Sequence, residues 1–160
     1  MSKPAAKASR KPRAAAPRRG TRVFLAQVAD ELPSHLPPRL RDFSSERWGR
    51  MYKVWFAQKK VHFEVQFVHG GRLEIGLHLE ADQDTNERVW TALERKAAAI
   101  RRALGDEAAF GSHGPGWRCV AEKWSGGDLR GEEAATEAAS RLAEYVVALA
   151  PLLPKETTAG

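Results

Sequence analysis

Three consecutive segments in which apolar and polar residues alternate constrain the fold of this chain most strongly. Apolar side chains occupy every second position in 51–58, 61–68 and 72–80, which is the period of a β-strand with one buried face. A Lys-Lys turn at 59–60 and a His-Gly-Gly turn at 69–71 join the segments, and glycine adopts the positive φ that tight hairpins need. The sequence therefore predicts a three-stranded antiparallel meander.

The apolar faces of the three strands must coincide, and this requirement sets the predicted register. It places Val54 opposite Val65 in the first hairpin and His62 opposite His78 in the second. The other face of the sheet is then polar apart from one tryptophan. Its predicted members are Lys53, Trp55, His62, Glu64, Gln66, Glu74 and His78.

Helical periodicity surrounds the meander. Apolar residues at three- to four-residue spacing predict a short helix at 24–32, a long helix at about 85–104 that starts with an Asp84/Glu87 capping box, and a last helix at about 132–150. Residues 117–124 form a fourth predicted strand, whereas residues 33–50 are predicted to be irregular. We predict an α+β fold with an antiparallel sheet of about four strands, helices on one face, and the order α-β-β-β-α-β-α.

Positive charge is concentrated at the start of the chain. Positions 1–20 contain no acidic residue, and removing their seven cations from the 26 Lys and Arg leaves 19 against 20 Asp and Glu. The cations are Lys3, Lys7, Arg10, Lys11, Arg13, Arg18 and Arg19. Few apolar side chains accompany them, so we predict a disordered basic tail at 1–20, a single domain at 21–154 and a flexible C-terminus at 155–160.

A tail of this composition is suited to electrostatic attachment to nucleic acid or to an acidic protein surface. A second candidate contact is the set Arg88, Arg95 and Arg102, which recurs every seven residues along the long predicted helix. Acidic neighbours such as Glu87 make a solvated helical face the alternative interpretation.

Two kinds of metal chemistry are conceivable on the polar sheet face. Glu64, Gln66 and Glu74 resemble the acidic pair and third polar residue with which restriction-type nucleases hold Mg²⁺, although the usual lysine is missing. His62 and His78 offer imidazole ligands across the hairpin, with Glu64 and Glu80 two residues after them, but a metal site needs three or four convergent donors. A solvated polar face is the alternative, and the sequence by itself predicts no cofactor.

Other side chains have simpler interpretations. Trp55 on the polar face requires a cover, which is either the segment around Phe43 and Trp48 or a partner, including a second copy of the chain in a homodimer. Cys119 is expected to be a small buried side chain rather than a nucleophile, and His113 would act as a base only if its loop lay close to that thiol.

Apolar and tryptophan positions between 79 and 117 give the chain a family resemblance. They are Leu79, Val89, Trp90, Leu93, Ile100, Leu104 and Trp117, with Asn86, Lys96 and Gly105 between them. This pattern resembles a family of uncharacterised bacterial domains found alone or joined to restriction-type nucleases. The resemblance covers roughly residues 50–150 and implies a short meander, a helix ending in glycine, a tryptophan-bearing strand and a final helix. It implies no catalytic residues.

These features predict a non-enzymatic binding module that attaches to its partner through the basic tail. The alternative is a divergent or degenerate metal-dependent nuclease, or an accessory domain of one. No apolar run approaches the roughly 20 residues that cross a membrane, and a single cysteine fits a reducing compartment. We therefore expect a cytoplasmic protein that does not bind membranes.

Overall fold

The computed structural model describes residues 15–155 of the chain, and its side chains from residue 20 onward. Within these residues the fold is α+β, with four α-helices and a six-stranded antiparallel sheet. The helices are α1 Ala15–Glu31, α2 Gln83–Arg95, α3 Ala97–Leu104 and α4 Glu132–Leu149. The strands are β1 Ser44–Trp48, β2 Met51–Trp55, β3 Val61–Phe67, β4 Leu73–Leu79, β5 Ala109–Ser112 and β6 Arg118–Trp124.

The strands follow the spatial order β1-β2-β3-β4-β6-β5, and all neighbours are antiparallel. The predicted α+β class is confirmed, but the prediction of about four strands is too low. Strands β1 and β5 lie at the two edges, and neither contains a fully buried residue, so they lack the alternation that marks a half-buried strand. Gly49, with a φ of +59°, forms the turn that lets β1 return as β2.

The register of the meander is partly as predicted. In the second hairpin His62 lies opposite His78, as expected. In the first hairpin Val54 lies opposite Phe63 instead of Val65, because β2 ends at Trp55 and leaves a longer loop than the predicted two-residue turn. A shift of two residues preserves which side chains share a face, so the predicted faces are unchanged.

The apolar face of the sheet packs against α1 and α4 to form the core. Phe63, Ile75 and Leu77 from the central strands are completely buried, as are Leu142 and Val146 from α4. Every member of this set belongs to a predicted apolar stripe. The core therefore forms where the apolar face of the strands, which repeats every two residues, contacts the apolar face of the helices, which repeats every 3.6 residues.

A buried carboxylate joins this face of the sheet to α4. Glu122 Oε1 accepts hydrogen bonds from Arg141 Nε at 3.0 Å, from Arg141 Nη2 at 2.8 Å and from the Tyr145 hydroxyl at 2.8 Å, while Trp124 Nε1 donates to Oε2 at 2.7 Å. Arg141 Nη2 also donates to the Leu104 carbonyl. Burial raises the pKa of Glu122, but the bonds from Arg141, Trp124 and Tyr145 outweigh it and lower that pKa. The group is therefore a charged carboxylate that connects β6, α3 and α4.

The long predicted helix is two helices. Lys96 leaves helical geometry, with φ −108° and ψ 16°, and separates α2 from α3. The first of them begins at Gln83, because Asp82 accepts the Thr85 amide at 2.8 Å and takes the N-cap position that the sequence had suggested for Asp84. No glycine or proline marks the break, so the sequence pattern carried no signal for it.

None of the helices within residues 15–155 has the length and apolar character needed to cross a membrane.

Candidate metal centre

Four ionisable side chains are buried on the polar face of the central hairpin. His62 and Glu64 belong to β3, Glu74 and His78 belong to β4, and each is between 1% and 6% exposed. Strand alternation directs them away from the apolar core, so they are surrounded mainly by one another. A buried charge is tolerated only when it is paired or hydrogen-bonded, and the contacts of this cluster therefore define its chemistry.

His62 is fully engaged by oxygen acceptors. Its Nε2 lies 2.7 Å from Glu64 Oε1, and its Nδ1 lies 2.9 Å from the Lys59 carbonyl oxygen. A carbonyl and a carboxylate oxygen are both acceptors, so each contact is a hydrogen bond when the ring nitrogen facing it carries a hydrogen. Neither nitrogen of His62 is available to a metal unless one of these bonds breaks.

His78 differs because its two nitrogens face different groups. Nε2 lies 3.2 Å from Glu74 Oε1 and 3.6 Å from Glu64 Oε2, and within the described residues it makes no hydrogen bond of good geometry. Nδ1 points the other way and lies 3.1 Å from Nε2 of His113 and 3.7 Å from Oε2 of Glu80. Two carboxylates therefore lie near Nε2 of this ring, and two potential metal ligands lie near Nδ1.

His78, Glu80 and His113 converge on one point. The third edge of their triangle, from His113 Nε2 to Glu80 Oε2, measures 3.5 Å. The side chain of His78 is 1% exposed, whereas those of Glu80 and His113 are 20% and 28% exposed. The triangle is therefore buried at His78, whereas its edge between Glu80 and His113 faces solvent. We call these three residues the triad.

The loop that carries His113 is fixed to the end of β4 by a buried amide. Asn86 Nδ2 donates to the carbonyls of Gly116 and Ala81, both at 3.0 Å, and Asn86 Oδ1 accepts the Ala81 amide at 3.0 Å. Asn86 is 1% exposed and belongs to the first turn of α2. The Asn86 side chain thus connects Ala81, the residue after Glu80, to the 113–117 loop. It thereby fixes the position of Glu80 relative to His113.

The two histidines of the triad differ in their affinity for a proton. Burial lowers the pKa of His78, but Glu74, Glu64 and Glu80 outweigh burial and raise it. Burial and the charge of His78 lower the pKa of His113. Burial raises the pKa of Glu74, but contact with His78 and its charge, Gln66 and Lys123 bring it down to about 2. Glu74 is therefore an anion, and His113 is the member of the triad that most readily stays neutral.

Glu64, Gln66 and Glu74, the residues that the nuclease hypothesis singles out, do lie together. Gln66 Nε2 donates to Glu74 Oε1 at 2.9 Å, and the Lys123 ammonium lies 3.5 Å from Glu74 Oε2. Sequence reasoning placed His62 and His78 on this face, with Glu64 and Glu80 two residues after them, but did not assign His113 to a metal site. Two features of the sequence could have indicated Glu80 and His113. Glu80 lies two residues after His78 and is therefore expected on the same face, and His113 lies in a glycine-rich loop.

Two other predicted side chains lie near the cluster. Cys119 pairs with His78 in the β4–β6 ladder and is half-buried. Burial and the charge of Glu74 raise the pKa of its thiol to about 11, so the group is an unreactive thiol at neutral pH. Trp55 is half-buried, with the Lys59 ammonium 5.6 Å from the ring centroid, while Phe43 packs on Phe56.

The basic residues suggested for nucleic-acid binding lie elsewhere. Arg88 and Arg95 are exposed on α2, whereas Arg102 is exposed on α3 beyond the break, so the three do not follow one straight helix. Lys3, Lys7, Arg10, Lys11 and Arg13 lie outside the described residues, as do the side chains of Arg18 and Arg19. The backbone of residues 15–20, which were predicted as part of a disordered tail, belongs to α1. The disorder of the rest of that tail, its attachment role and the flexibility of 155–160 stay predictions.

Comparisons of the chain with protein-family models, with curated proteins and with solved structures found no match. The geometry of the triad is therefore the basis on which a function is proposed.

Proposed function

We propose that this protein is a metal-binding module that holds a divalent transition-metal ion through His78 Nδ1, His113 Nε2 and a carboxylate oxygen of Glu80. The observation that carries the proposal is the triangle formed by these atoms, with edges of 3.1, 3.5 and 3.7 Å. Ligands placed about 2.0–2.2 Å from a tetrahedral Zn²⁺ are separated by about 3.3–3.6 Å, so small side-chain movements bring all three into coordination.

The surroundings of His78 support the same assignment. A metal-ligating histidine commonly directs its second N–H toward a carboxylate, which orients the ring and increases its basicity. Here Glu74 and Glu64 lie behind Nε2 at 3.2 and 3.6 Å, and Glu64 is itself held by His62. A ring rotation of a few degrees on metal binding would give Nε2 the hydrogen bond that it lacks.

Charge balance supports a cation at this place. Carboxylate oxygens of Glu64, Glu74 and Glu80 lie within 3.7 Å of the His78 ring nitrogens, and only Glu74 among these three is paired with a lysine, Lys123, in the described residues. These carboxylates raise the pKa of His78, so they favour a positive charge at its ring. A divalent ion bound at Nδ1 would displace a proton of His78 and supply positive charge at the same place.

The donor set favours particular metals. Imidazole nitrogens with a carboxylate suit Zn²⁺, Fe²⁺, Co²⁺ and Ni²⁺, whereas Ca²⁺ and Mg²⁺ prefer an all-oxygen environment. Three protein ligands leave a fourth position, and the partly exposed Glu80 and His113 place that position on the solvent side. The fourth ligand is then water or a group of a partner, as in sites that keep one position open.

The proposal assigns the nuclease-like residues a positioning role. A magnesium-dependent nuclease needs carboxylate oxygens directed at the ion and the scissile phosphate. Glu64 and Glu74 are instead 2% and 6% exposed, and their oxygens contact His62, Gln66, His78 and Lys123. We infer that Glu64 and Glu74 orient His78 through its Nε2, the ring nitrogen that does not bind the metal.

The proposal predicts that untagged protein stripped with EDTA binds one Zn²⁺ per chain in isothermal titration calorimetry. Replacing His113 by Ala removes a ligand from the solvent side without disturbing the core. Loss of an outer-sphere partner already weakens metal binding by about 10- to 100-fold, so we expect His113→Ala to lower the affinity by about 100-fold or more.

His69→Ala is the matched control, because His69 is exposed in the β3–β4 turn and lies outside the cluster. It should bind Zn²⁺ as the wild type does. Zn²⁺ should also raise the melting temperature of the wild type and of His69→Ala, but not that of His113→Ala, since ligand binding stabilises the folded state by mass action. Equal binding by all three proteins, or no binding by the wild type, would refute the proposal.

A further inference from the structure

A basic groove lies between α1 and the β1–β2 turn. It has a volume of about 1050 Å³, and its lining includes Arg22 and Val23 from α1, Arg47 and Trp48 from the end of β1, Arg50 from the turn, and Arg130 from the segment before α4. None of the described residues that line it is acidic. The Arg88 and Arg95 surface on α2 differs, because Asp84 and Glu87 line the same depression. The groove is therefore the described surface with the clearer preference for anions.

The groove combines fixed and available cations. Arg130 Nε donates to Thr21 Oγ1 at 2.9 Å, and its guanidinium lies 4.1 Å from the centroid of the Phe67 ring, so this side chain is anchored in the floor. Arg22, Arg47 and Arg50 are exposed. An anchored guanidinium with exposed ones around it suits a ligand that carries several regularly spaced anions.

Trp48 adds a feature that an anion site alone does not need. Its side chain is 70% exposed at the β1–β2 turn, beside Arg47 and Arg50. An exposed tryptophan between arginines provides a flat surface for stacking an aromatic ring, and the arginines contact the adjoining phosphates. Bases are free to stack on a side chain in single strands, whereas in a duplex they are already stacked on each other.

We propose that this groove binds single-stranded nucleic acid, with Arg22, Arg47 and Arg50 contacting phosphates and Trp48 stacking on a base. The seven cations of positions 1–20 precede the groove along the chain and would increase this affinity without contributing stacking, because the segment has no aromatic residue. The proposal is independent of the metal site, which uses other residues.

The test is fluorescence anisotropy of a labelled 12-nucleotide single strand titrated with the full chain at several salt concentrations. Trp48→Ala should weaken binding about fivefold or more and leave the slope of log K against log salt unchanged, because stacking releases no counterions. The double variant Arg47→Ala/Arg50→Ala should weaken binding and reduce the slope by about 0.7 for each lost phosphate contact.

Arg88→Ala/Arg95→Ala is the charge-matched control and should retain wild-type affinity apart from a small general electrostatic effect. All substituted residues in these variants are exposed, and circular dichroism should confirm that the proteins fold. Each of three results would overturn the proposal: Trp48→Ala binding as the wild type does, a duplex of the same sequence binding at least as tightly, or polyglutamate of equal charge displacing the strand equally well. The last result would identify a general acidic partner instead.

Discussion

Replacing Glu122 by Gln should lower the free energy of unfolding by about 3–5 kcal/mol, the usual cost of removing one partner from a buried ion pair. Glu122 is 7% exposed and accepts four hydrogen bonds, two of them from Arg141. The substitution keeps the volume of the side chain but leaves the largely buried guanidinium with the exposed carboxylate of Glu144 as its remaining anionic contact in the described residues. It also turns an amide NH₂ toward a group of donors. Urea unfolding followed by circular dichroism measures the change.

Glu144→Gln is the matched control, because Glu144 contacts the same Arg141 at 2.6 Å but has a 53% exposed side chain. A solvent-exposed pair contributes about 0–1 kcal/mol, so this variant should unfold almost as the wild type does. If the two variants were destabilised equally, the buried network would not be what holds α4 to the sheet.

Replacing Gly76 by Ala should be comparably damaging, for a steric reason. A Cβ atom at this position would lie 2.5 Å from Ala121 Cα and 2.6 Å from its Cβ, and it would also meet the Val120 carbonyl oxygen. These are mostly backbone atoms of the neighbouring strand, so the clash is relieved only by separating β4 from β6. Overpacking typically costs 1–3 kcal/mol, and we expect about 3 kcal/mol or more here.

Because Gly76 lies between Glu74 and His78 on the polar face, separating the strands should also weaken Zn²⁺ binding by any protein that remains folded. Gly111→Ala is the control, since a Cβ atom there meets nothing within 4 Å and Gly111 has no positive φ. It should change the free energy of unfolding by less than about 0.5 kcal/mol, a typical value for an unconstrained surface site. Wild-type stability of Gly76→Ala would show that β4 and β6 are not so closely packed.

Much of the sheet was predictable because two-residue periodicity survives errors in turn length. The first hairpin was predicted two positions out of register, yet Val54 and Glu64 were assigned to the correct faces. Edge strands were not predictable in the same way. Strand β1, Ser-Ser-Glu-Arg-Trp, pairs through its backbone and buries little side-chain surface. Its side chains therefore show no alternation of apolar and polar residues.

The candidate metal centre was only half predictable. Strand parity places His62, Glu64, Glu74 and His78 together, because it requires only local pattern. The assignment of His113 depends on the position of a loop 35 residues away from His78, and a side-chain amide of α2 fixes that loop. Nor does the sequence show that His62 is engaged at both nitrogens and therefore supports Glu64.

The most direct test of the metal centre is a crystal structure of the protein grown with one equivalent of Zn²⁺, with diffraction data collected on both sides of the zinc absorption edge. We predict a single anomalous difference peak about 2.0–2.2 Å from His78 Nδ1, His113 Nε2 and a Glu80 oxygen, with Glu74 hydrogen-bonded to His78 Nε2. A peak at other residues, or an intact His78–His113 hydrogen bond with no peak beside it, would contradict the account.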